Sequence, residues 1–175
     1  MKNIFTGFLL VFLDFDLNLG SSKIGLLPDF IGYISMIIGL SELAQDSVRF
    51  TKAKTYAFGM AFYTGILYIF DFVGITPSFG VFSYLFSVLA TVVSLYISYN
   101  IVMGVFDIEK KHGISLDGER LRAAWMLNAV FSVLTYLLYW AGPLGIFSVI
   151  AYFIVAVYFL VVFNRSKNLY YTSVR

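Results

Sequence analysis

LDFDLNLGSSKIGLLPDF, residues 13–30, sets Asp14, Asp16 and Asp29 around Lys23 in a chain otherwise poor in charge. Read as a continuation of the apolar run before it, the stretch completes a first membrane span. Read as a break, it ends that span early. The surroundings are strongly apolar: of 175 residues, 60% are hydrophobic, 19% aromatic and only 13% charged. A soluble domain of this length has too little interior to hide so much apolar surface, so composition points to an integral membrane protein in a lipid bilayer. The net charge of +2 gives no footprint for nucleic acid. There is no cysteine, which removes disulfides, thiolate metal sites and a thiol nucleophile. His112 is the only histidine, so a multi-histidine metal site is also excluded. No cofactor is implied.

A helix needs about 20 mostly apolar residues to cross the hydrocarbon core. Six stretches qualify, near 3–21, 28–44, 55–76, 79–106, 120–140 and 144–164. The expected fold is all-α, a single membrane-embedded domain over 1–175 with six transmembrane helices in three hairpins. Eleven of the twelve Lys and Arg residues fall on one side of these spans, and Lys23 stands alone on the other. Positive residues favour the cytoplasmic side, so both termini are expected there. Gly20 and Ser22 would suit signal-peptide cleavage, but Asp14 and Asp16 interrupt the region first, so the span is read as retained.

The three turns on the non-cytoplasmic side each hold a proline, Pro28, Pro77 and Pro143, at or just before a helix start. There a missing N–H costs nothing. Phe5-Thr6-Gly7 recurs as Tyr63-Thr64-Gly65, which suggests three copies of a hairpin. The cytoplasmic connections are longer. The one from Ser41 mixes charged and apolar residues, as an interfacial segment does. The one from Asp107 carries His112, read as a solvated loop residue, and ends in a helix start capped by Ser115 or Asp117.

Small residues let helices approach in lipid. Ala53, Ala57, Ala61 and Gly65 form one stripe on the third span, and Gly32, Ser35 and Gly39 another on the second. Both suit helix seams, or a ridge for a membrane-protein partner or a second copy. Ser83, Ser87, Thr91, Ser94 and Ser98 line one face of the fourth span, and Ala124, Asn128, Ser132 and Thr135 one face of the fifth. Those hydroxyls and the amide also suit a polar cavity between helices.

If the first span is a helix from Ile4, Asp14 lies about 15 Å along it, near mid-bilayer. Two central aspartates cost about 5–7 kcal/mol, while the eleven large apolar residues from Ile4 to Leu19 return about 3–7. Membrane acids that are so nearly unaffordable usually mark a pathway or a partner. Residues two apart point about 200° away from each other on a helix, so Asp14 shares a face with Asn18, and Asp16 with Lys23. Asp29 follows Pro28 at a helix start, where its charge meets the positive end of the dipole. Asp71, in YIFDFVG, has no basic neighbour in sequence. Asp14 and Asp71 are therefore the leading candidates to bind a cation or cationic group. Asn18, Asp16, Lys23, Asp29, Ser87 and Ser94 are candidate assistants.

Enzyme motifs do not hold. Asp14-Phe15-Asp16 has the Asp-x-Asp spacing, but on opposed helix faces. Residues 117–122, DGERLR, share the start of the CDP-alcohol phosphotransferase motif. Leu121 and Phe131 then replace its alanine and glycine, and no aspartate follows. No serine or threonine has a nearby base, and the chain is not read as an enzyme. LPDFIGY with its Asp-rich upstream segment resembles small uncharacterised membrane proteins of Gram-positive bacteria over about the first forty residues. That resemblance implies a bacterial plasma membrane and no particular activity. In size, span number and inside termini the chain is also similar to substrate-binding subunits of energy-coupling-factor transporters, with Ala57 and Ala61 at the spacing of their docking helix, although on the third span. The expected function is binding or transport of a small molecule or cation through a polar site in the outer half of the bundle. The alternative is an accessory, sensory or immunity protein that contacts another membrane protein.

Overall fold

The computed structural model describes residues 1–12, 16–19, 22–25, 28–74 and 81–173. The fold is helical. Its six helices are α1 (Lys2–Phe12), α2 (Asp29–Glu42), α3 (Val48–Val73), α4 (Val81–His112), α5 (Gly118–Leu137) and α6 (Pro143–Ser173). Between α1 and α2 lies a two-stranded antiparallel hairpin, β1 (Asp16–Leu19) with β2 (Ser22–Gly25).

The hairpin corrects the first expected span. The stretch 3–21 is not one helix, because α1 has 11 residues and is about 16 Å long. The physical reason lies in the period. Asp16-Leu17-Asn18-Leu19 alternates polar and apolar with the period of a strand, and the Gly-Ser that follows in sequence is a dipeptide of the kind tight hairpins favour. The register sets Asp16 across from Gly25 and Asn18 across from Lys23. Helical face arguments that paired Asp16 with Lys23 therefore do not apply.

Elsewhere the expected helices form, with shifted ends. Pro28 is extended (φ −60°, ψ 125°) and hands over to α2 at Asp29. Pro143 opens α6, where its fixed φ suits a first turn. Pro77 lies outside the described residues. The Ser41 connection is shorter than expected. α3 starts at Val48, because Ser47 Oγ accepts the Arg49 N–H at 3.0 Å and caps the helix. α4 continues through the charged residues to His112, and its last turn holds Lys110, Lys111 and His112 beside the negative end of the dipole. His112 is thus a helix residue, its Nε2 3.5 Å from Asp46, and not a loop residue. Asp117 occupies the N-cap of α5 at φ 65° without a side-chain cap bond. Glu109 of α4 supplies the cap instead, accepting the N–H groups of Leu116 (2.5 Å) and Gly118 (3.0 Å).

Each helix packs on the next in sequence and α6 returns to α1, so the six form a closed ring; among the described residues no other pair of helices brings its backbones together. The helices alternate in direction. At one end the start of α1 meets the end of α2 through Asn3 and Glu42 (2.8 Å). Arg49 of α3 meets Asp107 of α4 there (3.4 Å), and Asp117 before α5 meets Arg165 of α6 (3.1 Å). This is the charged end, and its interior is filled. Ile4, Leu40, Phe50, Ile101, Phe159 and Phe163 are completely buried, and Phe8 packs edge-on against Phe159 and Phe163.

Two helices, α4 from Tyr84 and α6, are long and apolar enough to cross a membrane. With 11 residues in α1 and 14 in α2, length and composition do not by themselves carry six crossings. Large apolar side chains cover the outside of the ring. Ile38 on α2, Phe58 and Phe62 on α3, Leu89 and Val92 on α4, Val130 on α5 and Ile154 on α6 are all exposed.

Candidate functional site

In the half of the ring away from the charged end, the interior is open. A cavity of about 510 Å³ is lined from all six helices, within the usual size range for small-molecule sites. α1 supplies Phe8, Val11 and Phe12, and α2 supplies Asp29, Tyr33 and Met36. α3 contributes Met60, Tyr63, Thr64 and Leu67. The serine and threonine stripe of α4 faces inward from Ser87 to Ser98. α5 adds Asn128, Ser132, Thr135 and Tyr136, and α6 adds Tyr152. These residues fall late in the odd helices and early in the even ones. The site therefore forms a cup whose floor is the apolar core and whose rim is at the α1–α2, α3–α4 and α5–α6 connections.

Helical periodicity builds the wall. Positions three and four apart share a face, so the α4 stripe turns one polar edge to the α5 stripe. Rungs between them fix their relative height. Trp125 Nε1 donates to Ser98 Oγ at 2.9 Å nearer the floor, and the Thr91 and Tyr136 hydroxyls meet at 2.7 Å nearer the rim. Across the ring, Tyr33 of α2 reaches Ser94 of α4 at 2.7 Å. Between the α4–α5 rungs sits Asn128, 2% exposed, whose Oδ1 has no hydrogen-bond partner. A buried amide oxygen without a donor costs about 1–3 kcal/mol.

The chain matches no family model, no curated protein and no solved structure. What the site can do is therefore read from its own residues.

Of the expected site residues, Asp29, Ser87 and Ser94 lie in the cup wall. Asp14 lies outside the described residues. Asp71 falls in the last turn of α3, and its side chain lies outside the description, as do those of Asp16, Asn18 and Lys23. The small-residue stripes are seams within this chain. Ala53 and Ala57 are completely buried, and Ala61 packs against the core. A Cβ added at Gly65 would stand 3.8 Å from Phe30 of α2. At Gly32 it would come within 2.8 Å of Val11 on α1, and at Gly39 within 2.8 Å of Ile4.

The tyrosines are what the acid-centred reading left out. Tyr33 lies one turn after Asp29 on the same face of α2, and Tyr136 continues the Asn128–Ser132 stripe at the next fourth position, so extending the stripes would have found both. Tyr63 and Tyr152 stand outside any stripe and look like ordinary membrane aromatics in sequence. Among the described residues no group of three or more His, Asp or Glu is placed to hold a metal ion.

Proposed function

We propose that the protein crosses the bilayer with all six helices, termini on the cytoplasmic side, and that its cup binds or transports a small molecule from the outer face. The observation that carries the reading is the distribution of polarity, with hydroxyls, an amide and a carboxylate inside the ring and large apolar side chains outside it. A water-soluble bundle places them the other way round. In lipid, polar residues face a bundle interior or a water-filled cavity. The short α1 and α2 are accommodated because α1, the hairpin and α2 together fill one hairpin's place in the ring. Basic residues at the charged end support the orientation.

The partner-contact reading draws no comparable support, since the stripes that would dock a partner are covered by this chain's own helices. A cavity-filling variant tests the proposal. Ser132→Phe places a ring in the cup, whereas Val130→Phe places one on the outer face. Wild type and Val130→Phe, purified from native membranes in mild detergent, are expected to carry a small molecule detectable by mass spectrometry, or to gain thermal stability from a compound in a metabolite screen. Ser132→Phe is expected to do neither. If Ser132→Phe behaves like the wild type in both assays, the cup is not the binding site.

A further inference from the structure

The cup is not polar all round. α1 contributes only Phe8, Val11 and Phe12 to it, whereas α4 and α5, on the far side of the ring, bring their serine and threonine stripes. The apolar wall also ends early. On α6, Val149, Phe153, Leu160, Lys167 and Tyr171 lie on one strip at helical spacing. α1 covers the part of the strip toward the charged end. There the Met1 amine donates to the Tyr171 hydroxyl at 3.2 Å, Lys167 Nζ stands 4.5 Å from the centre of the Phe5 ring, and Leu160 is 7% exposed. Phe12, the last residue of α1, packs edge-on against Phe159 at 6.0 Å. Toward the rim the strip is bare. Phe153 is 46% and Val149 51% exposed, and among the described residues α6 packs only on α1 and α5. Tyr152, next to Phe153, lines the cup. A slot beside α6, beyond the end of α1, therefore joins the cup to the outer face of the ring.

On the reading of the ring as a membrane-spanning bundle with an open cup, that slot faces lipid. Resting on that reading, we infer that the occupant is a membrane amphiphile whose hydroxyl-bearing, non-anionic head lies in the cup and whose hydrocarbon tail leaves through the slot over Phe12. The head follows from the polar wall. Among the described residues the hydroxyls of Ser132, Tyr63 and Tyr152 bond to no other group and are there to donate. Those of Thr64, Ser87 and Thr135 have given their protons to their own helices and keep lone pairs that accept. A head that both donates and accepts, as a hydroxyl does, meets both kinds. An anionic head meets neither a Lys, an Arg nor a His among the described residues of the wall, and Asp29 already sets a carboxylate there. A buried anion with no cationic partner loses its hydration without return. The tail follows from the apolar wall. A wholly polar guest leaves Phe8, Val11 and Phe12 facing polar surface, and a hydrocarbon chain covers them.

The chain has no cysteine, so one introduced thiol reports the cup alone. Ala90 lines the cup without a polar group, and the full chain carrying Ala90→Cys is reconstituted in phosphatidylcholine vesicles. The readout is the rate of its reaction with 2-hydroxyethyl methanethiosulfonate, which is small, uncharged and water-soluble. The vesicles hold no addition, 1-oleoylglycerol, or 1-oleoylglycerol 3-phosphate at the same mole fraction. 1-Oleoylglycerol is expected to slow the reaction about tenfold, the protection given by a ligand at about nine times its Kd. The phosphate, which differs only in charge, is expected to leave the rate unchanged. Adding Val149→Trp, which fills the slot, is expected to abolish protection while the unprotected rate stays the same. Adding Ile154→Trp, on the lipid-facing side of α6, is expected to preserve protection. If the reagent fails to reach the thiol in plain vesicles, the open cup itself fails and the amphiphile with it. If the reagent enters and 1-oleoylglycerol gives no protection, the amphiphile is wrong and the open cup stands. Equal protection by the phosphate overturns the non-anionic head. Protection that survives Val149→Trp, or is lost equally in Ile154→Trp, overturns the slot as the place of the tail.

Discussion

Gly7 shows how little room the residue scale leaves. A Cβ there would fall 2.3 Å from Met36 Cγ and 2.6 Å from the Gly32 carbonyl oxygen, so α1 and α2 touch backbone to backbone. Gly59, on the exposed side of α3, has nothing within 4 Å. The two glycines predict opposite results for the same substitution. Gly7→Ala is expected to destabilise by about 1–3 kcal/mol, as overpacking does. Gly59→Ala is expected to be neutral or to gain up to about 1 kcal/mol, because alanine loses less chain entropy in a helix. Denaturation in mixed detergent micelles, followed by circular dichroism, measures both, and equal effects would mean that the α1–α2 contact is not close. Gly32 and Gly39 were legible as seam residues because their spacing put them on one face. Their partner was not legible, since nothing local to α2 says that α1 is what covers it.

Among elements, the clearest lesson is the segment after α1. Hydropathy alone carries the first span through to Ser21, because large apolar residues recur in it. Period decides otherwise: Asp16-Leu17-Asn18-Leu19 alternates every second residue, and a window tuned to apolar content averages that alternation away. The polar stripes of α4 and α5 were legible because their three-and-four spacing is itself the helix period. The end of α4 was hidden for a different reason. Charged residues read as loop, although beside a helix C-terminus positive side chains are stabilising. The α3 start depends on the same junction. Ser47 accepts from Arg49 and donates to Asp107 Oδ2 on α4, so one hydroxyl both caps α3 and ties it to its neighbour. Ser47→Ala is expected to cost about 1–2 kcal/mol in the same denaturation assay, and Ser47→Thr to recover most of it. An alanine variant as stable as wild type would show that solvent replaces the cap without loss.

The whole molecule is a ring whose two ends differ in chemistry, and that difference makes its placement testable. The charged end gathers Lys and Arg with their acidic partners over a filled core, while the other end opens the cup between short connections. Alternating helices bring both termini to the charged end together with the α2–α3 and α4–α5 connections. On the proposed orientation, the basic residues hold that end in the cytoplasm. Ala141→Cys, in the exposed α5–α6 turn at the open end, and Lys110→Cys, exposed at the charged end, each provide the only thiol in the chain. On intact cells a membrane-impermeant maleimide is expected to label Ala141→Cys and to leave Lys110→Cys unmodified until the membrane is permeabilised. The reverse pattern would turn the cup toward the cytoplasm, so that it would take its occupant from inside the cell. Labelling of both sites on intact cells would put the two ends on one side of the bilayer, and an alternating six-helix span could not produce that.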